Sequence, residues 1–233
     1  MNDFYNRVDI RNIPTYSIKD TSQYLRIPVS TVRSWVIGLS YSTKEGSSFF
    51  APLIEIPKHK PYLLSFTNIV ELHVLRAIRS IHKIKLNKVR EAIDFIIDKL
   101  EISHPLATKQ FSTDGVNLFV EHYGKLIQAN QDECNQLQMV FEAHLRRIEP
   151  DDNGFAMKLY PFTRPHEEDS PKIVSIDPRN AFGRLTIDGT GITTSILKER
   201  YLAGDSIEDL AIDYNFDSIY IQEAIRCELP MAA

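Results

Sequence analysis

Residues 16–36 read "YSIKDTSQYLRIPVSTVRSWV" and contain two short amphipathic segments on either side of the tripeptide "RIP". Helical spacing places Ile18, Thr21, Ser22 and Leu25 on one face of the first segment. The same spacing gives the second segment an apolar face made of Val29, Val32, Trp35 and Val36. Because a proline disfavours helical geometry at the residue before it and has no N–H to donate, Pro28 separates the two segments. This stretch predicts a helix-turn-helix.

The serines of this stretch predict where each helix begins. Ser17 is followed three positions later by Asp20, which is the spacing of a capping box, in which the two side chains accept hydrogen bonds from the first free N–H groups of a helix. We expect Ser30 to cap the second helix in the same way.

The outward face of the second helix carries the residues expected to bind DNA. The guanidinium of Arg33 can bond the O6 and N7 acceptors of guanine or a phosphate, and the short hydroxyl side chains beside it suit contacts with a nearby sugar-phosphate backbone. These hydroxyl residues are Ser30, Thr31 and Ser34. A structural role without any DNA contact is the alternative interpretation of such a small unit.

The next segments predict a β-ribbon and a pair of helices. Residues 37–48, "IGLSYSTKEGSS", are polar and rich in turn formers, and two extended runs then flank the basic turn 58–60, "KHK". Lys58 and Lys60 would add phosphate contacts from the tip of this wing. Residues 65–82, with Ser65 as the cap, and residues 86–100 follow as helices that we expect to form an antiparallel pair.

The rest of the chain is more mixed. Residues 109–122, "KQFSTDGVNLFVEH", and 125–130, "KLIQAN", predict one or two small hairpins. Residues 133–150 predict a helix that ends at Pro150, and residues 155–162 predict a strand. Two short strands and three helices follow. The expected fold class is mostly α with minor β, divided into a winged helix-turn-helix (1–104), a small α+β middle region (105–162), a polar linker (163–172) and a carboxyl-terminal trihelical, helix-turn-helix-like domain (173–233).

The carboxyl-terminal helices repeat the opening pattern. Residues 206–225, "SIEDLAIDYNFDSIYIQEAI", align without a gap on residues 17–36, so that Ser206 and Asp209 correspond to Ser17 and Asp20. The second unit is acidic, and phosphate repels an acidic surface, so we expect it to bind protein rather than DNA. Its candidate interaction residues are Tyr214, Phe216, Ile221 and Ile225.

The distribution of charge also divides the chain. Residues 1–110 carry 16 Lys and Arg against 10 Asp and Glu, whereas residues 111–233 carry 11 against 21. A basic first half with an acidic second half suits a protein that binds a polyanion at one end and another partner at the other. No segment predicts a membrane span or a signal peptide, so we expect a cytoplasmic protein without a membrane partner.

The sequence does not predict catalysis, a metal site or a cofactor. No phosphate-binding, dinucleotide-binding, zinc-protease or serine-hydrolase motif occurs, and the two cysteines lack a CxxC spacing. His73 is expected to be a partly buried helix residue rather than a base. The acidic run Glu167, Glu168 and Asp169 lies in the predicted linker, where nothing would hold a metal ion rigidly.

These motifs together resemble a known family. The stretch 16–36, followed by "APLIEIP" and "LSFTNIVELHVLRAIR", resembles the winged helix-turn-helix of VapB-like antitoxins, which is related to the MerR-type DNA-binding domain. Residues 175–226 resemble a small domain of unknown function that occurs in many antitoxins. Two departures are visible: "STVRSW" carries a single arginine, and the carboxyl end is a compact module instead of the long dimer-forming helix of MerR-type activators.

The resemblance implies an antitoxin of a type II toxin–antitoxin system. Such a protein binds promoter DNA as a homodimer, represses its own gene and neutralises a toxin, which in this family is a PIN-like ribonuclease. DNA contacts would fall on Ser30, Thr31, Arg33 and Ser34. Two alternatives stay open: a stand-alone MerR-like transcription regulator with no toxin partner, and an interaction scaffold whose first unit never binds DNA.

Overall fold

The computed structural model describes residues 9–43, 46–79, 86–164 and 170–229. Within these ranges nine α-helices follow one another as α1 to α9: Ile18–Leu25, Val29–Val36, Phe66–Arg79, Leu86–Leu100, Val116–Ile127, Gln131–Leu145, Thr194–Ala203, Ile207–Tyr214 and Ser218–Glu228. Nine short strands in the same ranges, β1 to β9, are Tyr16–Ser17, Leu39–Thr43, Gly46–Phe50, Lys58–His59, Tyr62–Leu64, Ile148–Pro150, Ala156–Leu159, Val174–Ile176 and Leu185–Ile187. The predicted predominance of helix is confirmed.

Helix α1 begins and ends as the sequence predicts. The N–H of Asp20 donates to Ser17 Oγ at 3.1 Å, and the Asp20 carboxylate accepts from the Ser17 N–H at 3.0 Å, which completes the capping box. Arg26 adopts a left-handed conformation with φ of 52° and ends the helix. The predicted inward face of α1 is buried throughout.

The start of α2 differs from the prediction. Pro28, not Ser30, is the N-cap residue, and it offers no side-chain hydrogen bond. The fixed φ of proline already suits a helix start, so α2 begins at Val29 and Ser30 takes the second helical position. Val29 was expected on the apolar face but is 46% exposed, because it is the first residue of α2 and the later residues of the helix pack against the core. Val32 and Trp35 are buried as predicted.

Two β-ribbons follow α2 instead of one. Residues 37–48 were expected to be a polar loop, but most of them belong to the antiparallel hairpin β2–β3, in which Leu39 pairs with Phe50. The ribbon expected around Lys58 and Lys60 is present as β4–β5. Strand β1 pairs with β5 through Tyr16 and Leu64, so a three-stranded sheet joins this ribbon directly to the start of α1.

The next two helices pack differently from the expected pair. Ser65 caps α3 as predicted, since its Oγ accepts from the N–H of Asn68 at 3.3 Å. Among the described residues, however, α3 packs mainly against α6 and α4 against α5, so the expected α3–α4 pair is wrong. The stacked rings of Phe95 on α4 and His122 on α5, 4.0 Å between centroids, illustrate the actual pairing.

The middle region is helical where hairpins were expected. Residues 116–127 form α5, preceded by a wide turn over Phe111–Gly115. A Cβ at position 115 would come within 2.5 Å of the Phe111 ring, so glycine allows this close packing. Helix α6 ends at Leu145 rather than at Pro150, which lies in strand β6. The predicted strand over 155–162 is confirmed as β7.

A four-stranded antiparallel sheet in the order β6-β7-β8-β9 connects the middle region to the carboxyl-terminal helices. Strand β7 precedes the predicted linker and β8 follows it, and they pair through Leu159 and Ile176. Part of the linker, including Glu167, Glu168 and Asp169, lies outside the described residues. The division of the chain into four regions stays a prediction.

The buried Arg147 side chain holds the two ends of this linker. Its guanidinium donates to the carbonyl oxygens of Tyr160 and Pro161 on one side and of Ser170 and Pro171 on the other, at 2.7–3.1 Å. Burial lowers its pKa from the ordinary arginine value. A single cation therefore satisfies four carbonyl groups, two from the segment just before the linker and two from the last part of the linker.

The internal repeat is confirmed in the backbone. Helix α8 occupies the positions that align with α1 from end to end, and Ser206 and Asp209 form a second capping box. Asn215 ends α8 in the left-handed conformation, with φ of 55°, where Arg26 ends α1. The N–H of Phe216 then donates to Ala211, just as the aligned N–H of Ile27 donates to Ser22.

The two repeated units share one apolar core, which includes fully buried side chains from both halves, for example Leu25 and Ile221. They also make direct polar contacts: Tyr16 Oη donates to the carbonyl of Gly183, and Arg26 Nη2 donates to that of Arg226, both at 2.9 Å. Burial raises the pKa of Tyr16, which keeps this hydroxyl protonated. None of the described helices is long and apolar enough to cross a bilayer.

Candidate nucleic-acid interface

The exposed face of α2 presents the residues expected to bind DNA. Ser30 and Arg33 are exposed, and Thr31 and Ser34 are half-buried. Ser34 Oγ donates to the carbonyl of Thr31 at 2.8 Å, so its proton is engaged within the helix while the oxygen stays able to accept. Arg33 forms no ion pair or hydrogen bond with the described part of the chain, which leaves all five of its N–H donors available.

The amino-terminal end of α2 adds further donors to this face. The first N–H groups of a helix lack intrahelical acceptors, and Pro28 supplies no side-chain cap for them. They lie beside the hydroxyl of Ser30, at the end of the helix that favours negative charge. The combination suits a phosphate oxygen, with Arg33 one turn further along.

Packing beneath α2 fixes the direction of this face. Val32 and Trp35 are buried in the core, as predicted, and the carbonyl of Trp35 accepts from the N–H groups of Leu53 and Ile54 at 2.7 and 3.1 Å. On the other side of the turn, Arg76 Nη1 donates to the carbonyl of Leu25 at 2.6 Å. Two other chain segments, residues 53–54 and Arg76 on α3, therefore hold the two helices from outside.

The ribbon β4–β5 carries the other predicted DNA contacts. Lys58 and Lys60 are exposed, and neither pairs with a carboxylate in the described part of the chain. Because β5 pairs with β1, which leads directly into α1, the ribbon and the helix-turn-helix are parts of one small unit. The structure thus places both predicted groups of DNA contacts on the same amino-terminal unit.

The hairpin β2–β3 is an exposed element that the sequence interpretation missed. Tyr41 is 49% exposed and Phe49 61% exposed, and they lie on opposite faces of the hairpin. At the base of the hairpin, the guanidinium of Arg90 lies 5.2 Å from the centroid of the Phe50 ring and donates to the carbonyls of Ala51 and Pro52. The available signal was the alternation of aromatic and serine residues.

The second helix-turn-helix places its four candidate interaction residues in two environments. Ile221 is fully buried and Ile225 nearly so, both inside the core, where they shape the unit but are closed to a partner. Tyr214 and Phe216 are half-buried and reach the surface. The alignment of the two repeats does not distinguish the buried isoleucines from the accessible aromatic residues, because burial depends on what packs against each helix.

A buried histidine pair connects α3 with the end of α6. His73 Nε2 donates to the carbonyl of His144 at 3.1 Å, and both rings contact Phe162. Burial, followed by the charges of Arg76 and Arg147, lowers the pKa of His144 to about 4 and also lowers that of His73. His73 was expected to be partly buried and is completely buried, with no position for a substrate.

Comparisons with known proteins find similar sequences and a similar fold. Residues 174–226 match the family model described as protein of unknown function DUF433. The chain is 25% identical over 230 residues to a Mycobacterium tuberculosis protein named "Putative antitoxin VapB45", covering 92% of this chain and 93% of that one. The crystal structure of Rv2018 from the same organism matches with a TM-score of 0.65 at 20% identity, covering 91% of this chain and 98% of that one, which shows a shared fold.

Proposed function

We propose that this chain is the antitoxin of a type II toxin–antitoxin system, which binds promoter DNA as a homodimer and neutralises a PIN-like ribonuclease. The observation that carries the proposal is the similarity to a protein named as an antitoxin over nearly the full length of both chains. The toxin class comes from the family resemblance described above. The chain itself supplies no catalysis in this proposal.

The DNA-binding part of the proposal rests on α2. Its exposed face combines Arg33, which has no partner in the described part of the chain, with hydroxyl groups and the positive end of a helix. Arg33 reads a guanine edge or a phosphate, and Ser30 and Thr31 position the backbone. Lys58 and Lys60 add phosphate contacts from the ribbon.

We expect dimerisation because the exposed face of α2 is too short to contact more than a few base pairs of DNA. Helix α2 has eight residues, so it spans only about 12 Å and contacts a few base pairs. Two copies that bind two half-sites double this surface, which is how helix-turn-helix proteins gain useful specificity.

The toxin-binding part rests on the carboxyl-terminal unit. Its backbone repeats the DNA-binding unit, but its first helix begins with the acidic residues Glu208 and Asp209. A negative surface repels phosphate and favours a basic protein partner. Tyr214 and Phe216 supply accessible aromatic surface, while Ile221 and Ile225 hold the helices in place.

Titration against fluorescent DNA from upstream of its own gene, beside a scrambled duplex, tests the DNA-binding part. Wild type is compared with Arg33→Ala and with Arg146→Ala, which removes an exposed arginine just after the end of α6 and outside the first unit, at about 50 mM and about 200 mM salt. We expect Arg33→Ala to lose about 1–3 kcal/mol and Arg146→Ala to bind normally. Binding that is indifferent to sequence and to Arg33 would overturn this part.

Co-expression with the protein encoded beside its gene tests the toxin-binding part. Restored growth together with a stable complex that lacks ribonuclease activity supports the antitoxin. DNA binding without any complex would instead favour the stand-alone regulator.

A further inference from the structure

A cleft of about 740 Å³ opens on the carboxyl-terminal unit where the turn between α8 and α9 faces the end of β9. Its lining includes the stacked rings of Phe216 and Tyr220, whose centroids are 5.7 Å apart. Two carboxylates, those of Asp188 and Asp217, also line it. The cleft thus combines two acidic groups with an aromatic floor, the stacked rings of Phe216 and Tyr220.

The two carboxylates differ in how far the chain already satisfies them. Asp188 accepts from Lys158 Nζ at 3.0 Å, from Tyr160 Oη at 3.0 Å and from Ser175 Oγ at 2.8 Å. Asp217 is exposed and makes neither an ion pair nor a side-chain hydrogen bond with the described residues. The negative charge of Asp217 is therefore the one that a ligand can neutralise.

A neighbouring site shows which cation this surface holds. The guanidinium of Arg200 lies over the ring of Tyr214, 5.5 Å from its centroid, and its Nη2 donates to Asp213 at 2.7 Å. An aromatic ring beside an aspartate thus already binds an arginine here. A few residues further along the chain, Phe216, Tyr220 and Asp217 repeat this combination of rings and a carboxylate. No arginine from the described part of the chain contacts them.

We infer that this cleft binds an arginine-bearing segment of a partner protein, with the guanidinium over the aromatic floor and bonded to Asp217. Arginine suits the cleft better than lysine because its planar guanidinium stacks on a ring and bonds a carboxylate at the same time. The inference rests on the proposed function, since it gives the chemistry by which the carboxyl-terminal unit would bind the toxin.

The first test uses the full chain, labelled for NMR, and a blocked pentapeptide with one central arginine. A second peptide carries citrulline, which keeps the shape of arginine but lacks its charge. Asp217→Asn removes one negative charge and keeps an equally good N-cap residue for α9, so it leaves the fold intact. Glu199→Gln is the matched control, because it removes one exposed charge from α7 outside the cleft.

We expect the arginine peptide to shift the amide signals of residues 215–220, and the citrulline peptide to leave them unchanged. Asp217→Asn should weaken this binding about tenfold, whereas Glu199→Gln should bind like wild type. Equal binding of both peptides, no binding, or indifference to Asp217 would overturn the inference.

The same variants in complex with the neighbour-encoded protein separate this inference from the proposed function. If Asp217→Asn weakens the complex, the result supports both the cleft inference and the proposed function. A complex that forms equally well with Asp217→Asn overturns the cleft assignment alone, while arginine-specific peptide binding without any complex overturns the toxin partner alone. Self-association of the purified chain that Asp217→Asn abolishes would make a second copy the occupant and overturn the assignment to a partner.

Discussion

Gln23, on the first helix of the amino-terminal unit, donates a hydrogen bond of 2.7 Å to Glu228, at the end of the last helix. The other carboxylate oxygen of Glu228 accepts from Thr194 Oγ1 at 2.5 Å. Because Glu228 is buried, it connects the proposed DNA-binding unit to two helices of the carboxyl-terminal unit away from solvent.

Glu228→Ala should therefore destabilise the whole chain. It removes both hydrogen bonds and leaves their donors in a region with little access to water, at an expected cost of about 1–3 kcal/mol in the free energy of unfolding. Urea unfolding followed by circular dichroism measures this loss. Glu199→Ala, which removes an exposed glutamate from α7, is the control and should change stability by less than about 0.5 kcal/mol.

The two capping boxes should contribute similar amounts to stability. Ser17→Ala and Ser206→Ala each remove the side chain that accepts from the third N–H of a helix, and each should lower the free energy of unfolding by about 1 kcal/mol. Ser218→Ala, at an exposed position at the start of α9, is the matched control and should be neutral. A neutral Ser206→Ala beside a costly Ser17→Ala would contradict the equivalence of the two units.

The histidine pair should make the chain less stable below pH 6.5. His144 stays neutral in the folded state down to about pH 4 but is protonated in the unfolded state below about 6.5, so the unfolded state binds more protons in this range. Stability should fall as the pH falls through this window, by up to about 1.4 kcal/mol per pH unit for each such histidine. His104 acts in the opposite direction, because its hydrogen bond to Glu71 raises its pKa.

A single variant isolates the contribution of His144. In His144→Asn the side-chain amide can still donate to the carbonyl of Val140, as His144 Nδ1 does at 2.9 Å, but it does not titrate. Urea midpoints measured between pH 7.5 and pH 4.5 should therefore depend less steeply on pH in this variant. The same pH dependence in wild type and variant would exclude His144 as a source.

Arg147→Met should be among the most destabilising single changes in the chain. It keeps an apolar side chain against Phe162 but leaves four carbonyl groups without their donor, which should cost about 3 kcal/mol. Thermal unfolding measures this cost. Arg146→Met, one residue earlier with an exposed side chain, should stay close to wild type, and equal losses in both variants would contradict the role of Arg147.

Local signals explain which elements the sequence predicts well. The bounds of α1 and its copy α8 follow from serine caps and from the turns after them, which act within a few residues. Helix α5 was missed because Gly115 and nearby residues common in strands obscured an apolar spacing that is helical: Val116, Phe119, Val120 and Tyr123. The burial of Ile221 and Ile225 depends on packing between distant elements, and no local pattern reports it.

The same limit applies to the candidate sites. The outward position of Arg33 follows from the period of α2 alone, so it was predictable. The cleft beside Asp217 combines residues from β9, α8 and α9, and it exists only because the chain folds those elements together. In the hairpin β2–β3 the alternation of apolar and serine residues is confined to residues 39–42, and the turn formers on both sides obscured this short strand signal.

The position of Arg147 has a consequence for a cut chain. Strand β7 precedes residues 165–169 and strand β8 follows them, and the two strands pair with each other. The guanidinium of Arg147 also donates to carbonyl groups on both sides of this segment. Two separately expressed fragments, 1–166 and 167–233, should therefore recognise each other and restore the native core by fragment complementation. The peptide bonds between the fragments would then add proximity, while the strand pairing, Arg147 and the contacts of Gln23 and Tyr16 with the second fragment supply the specificity.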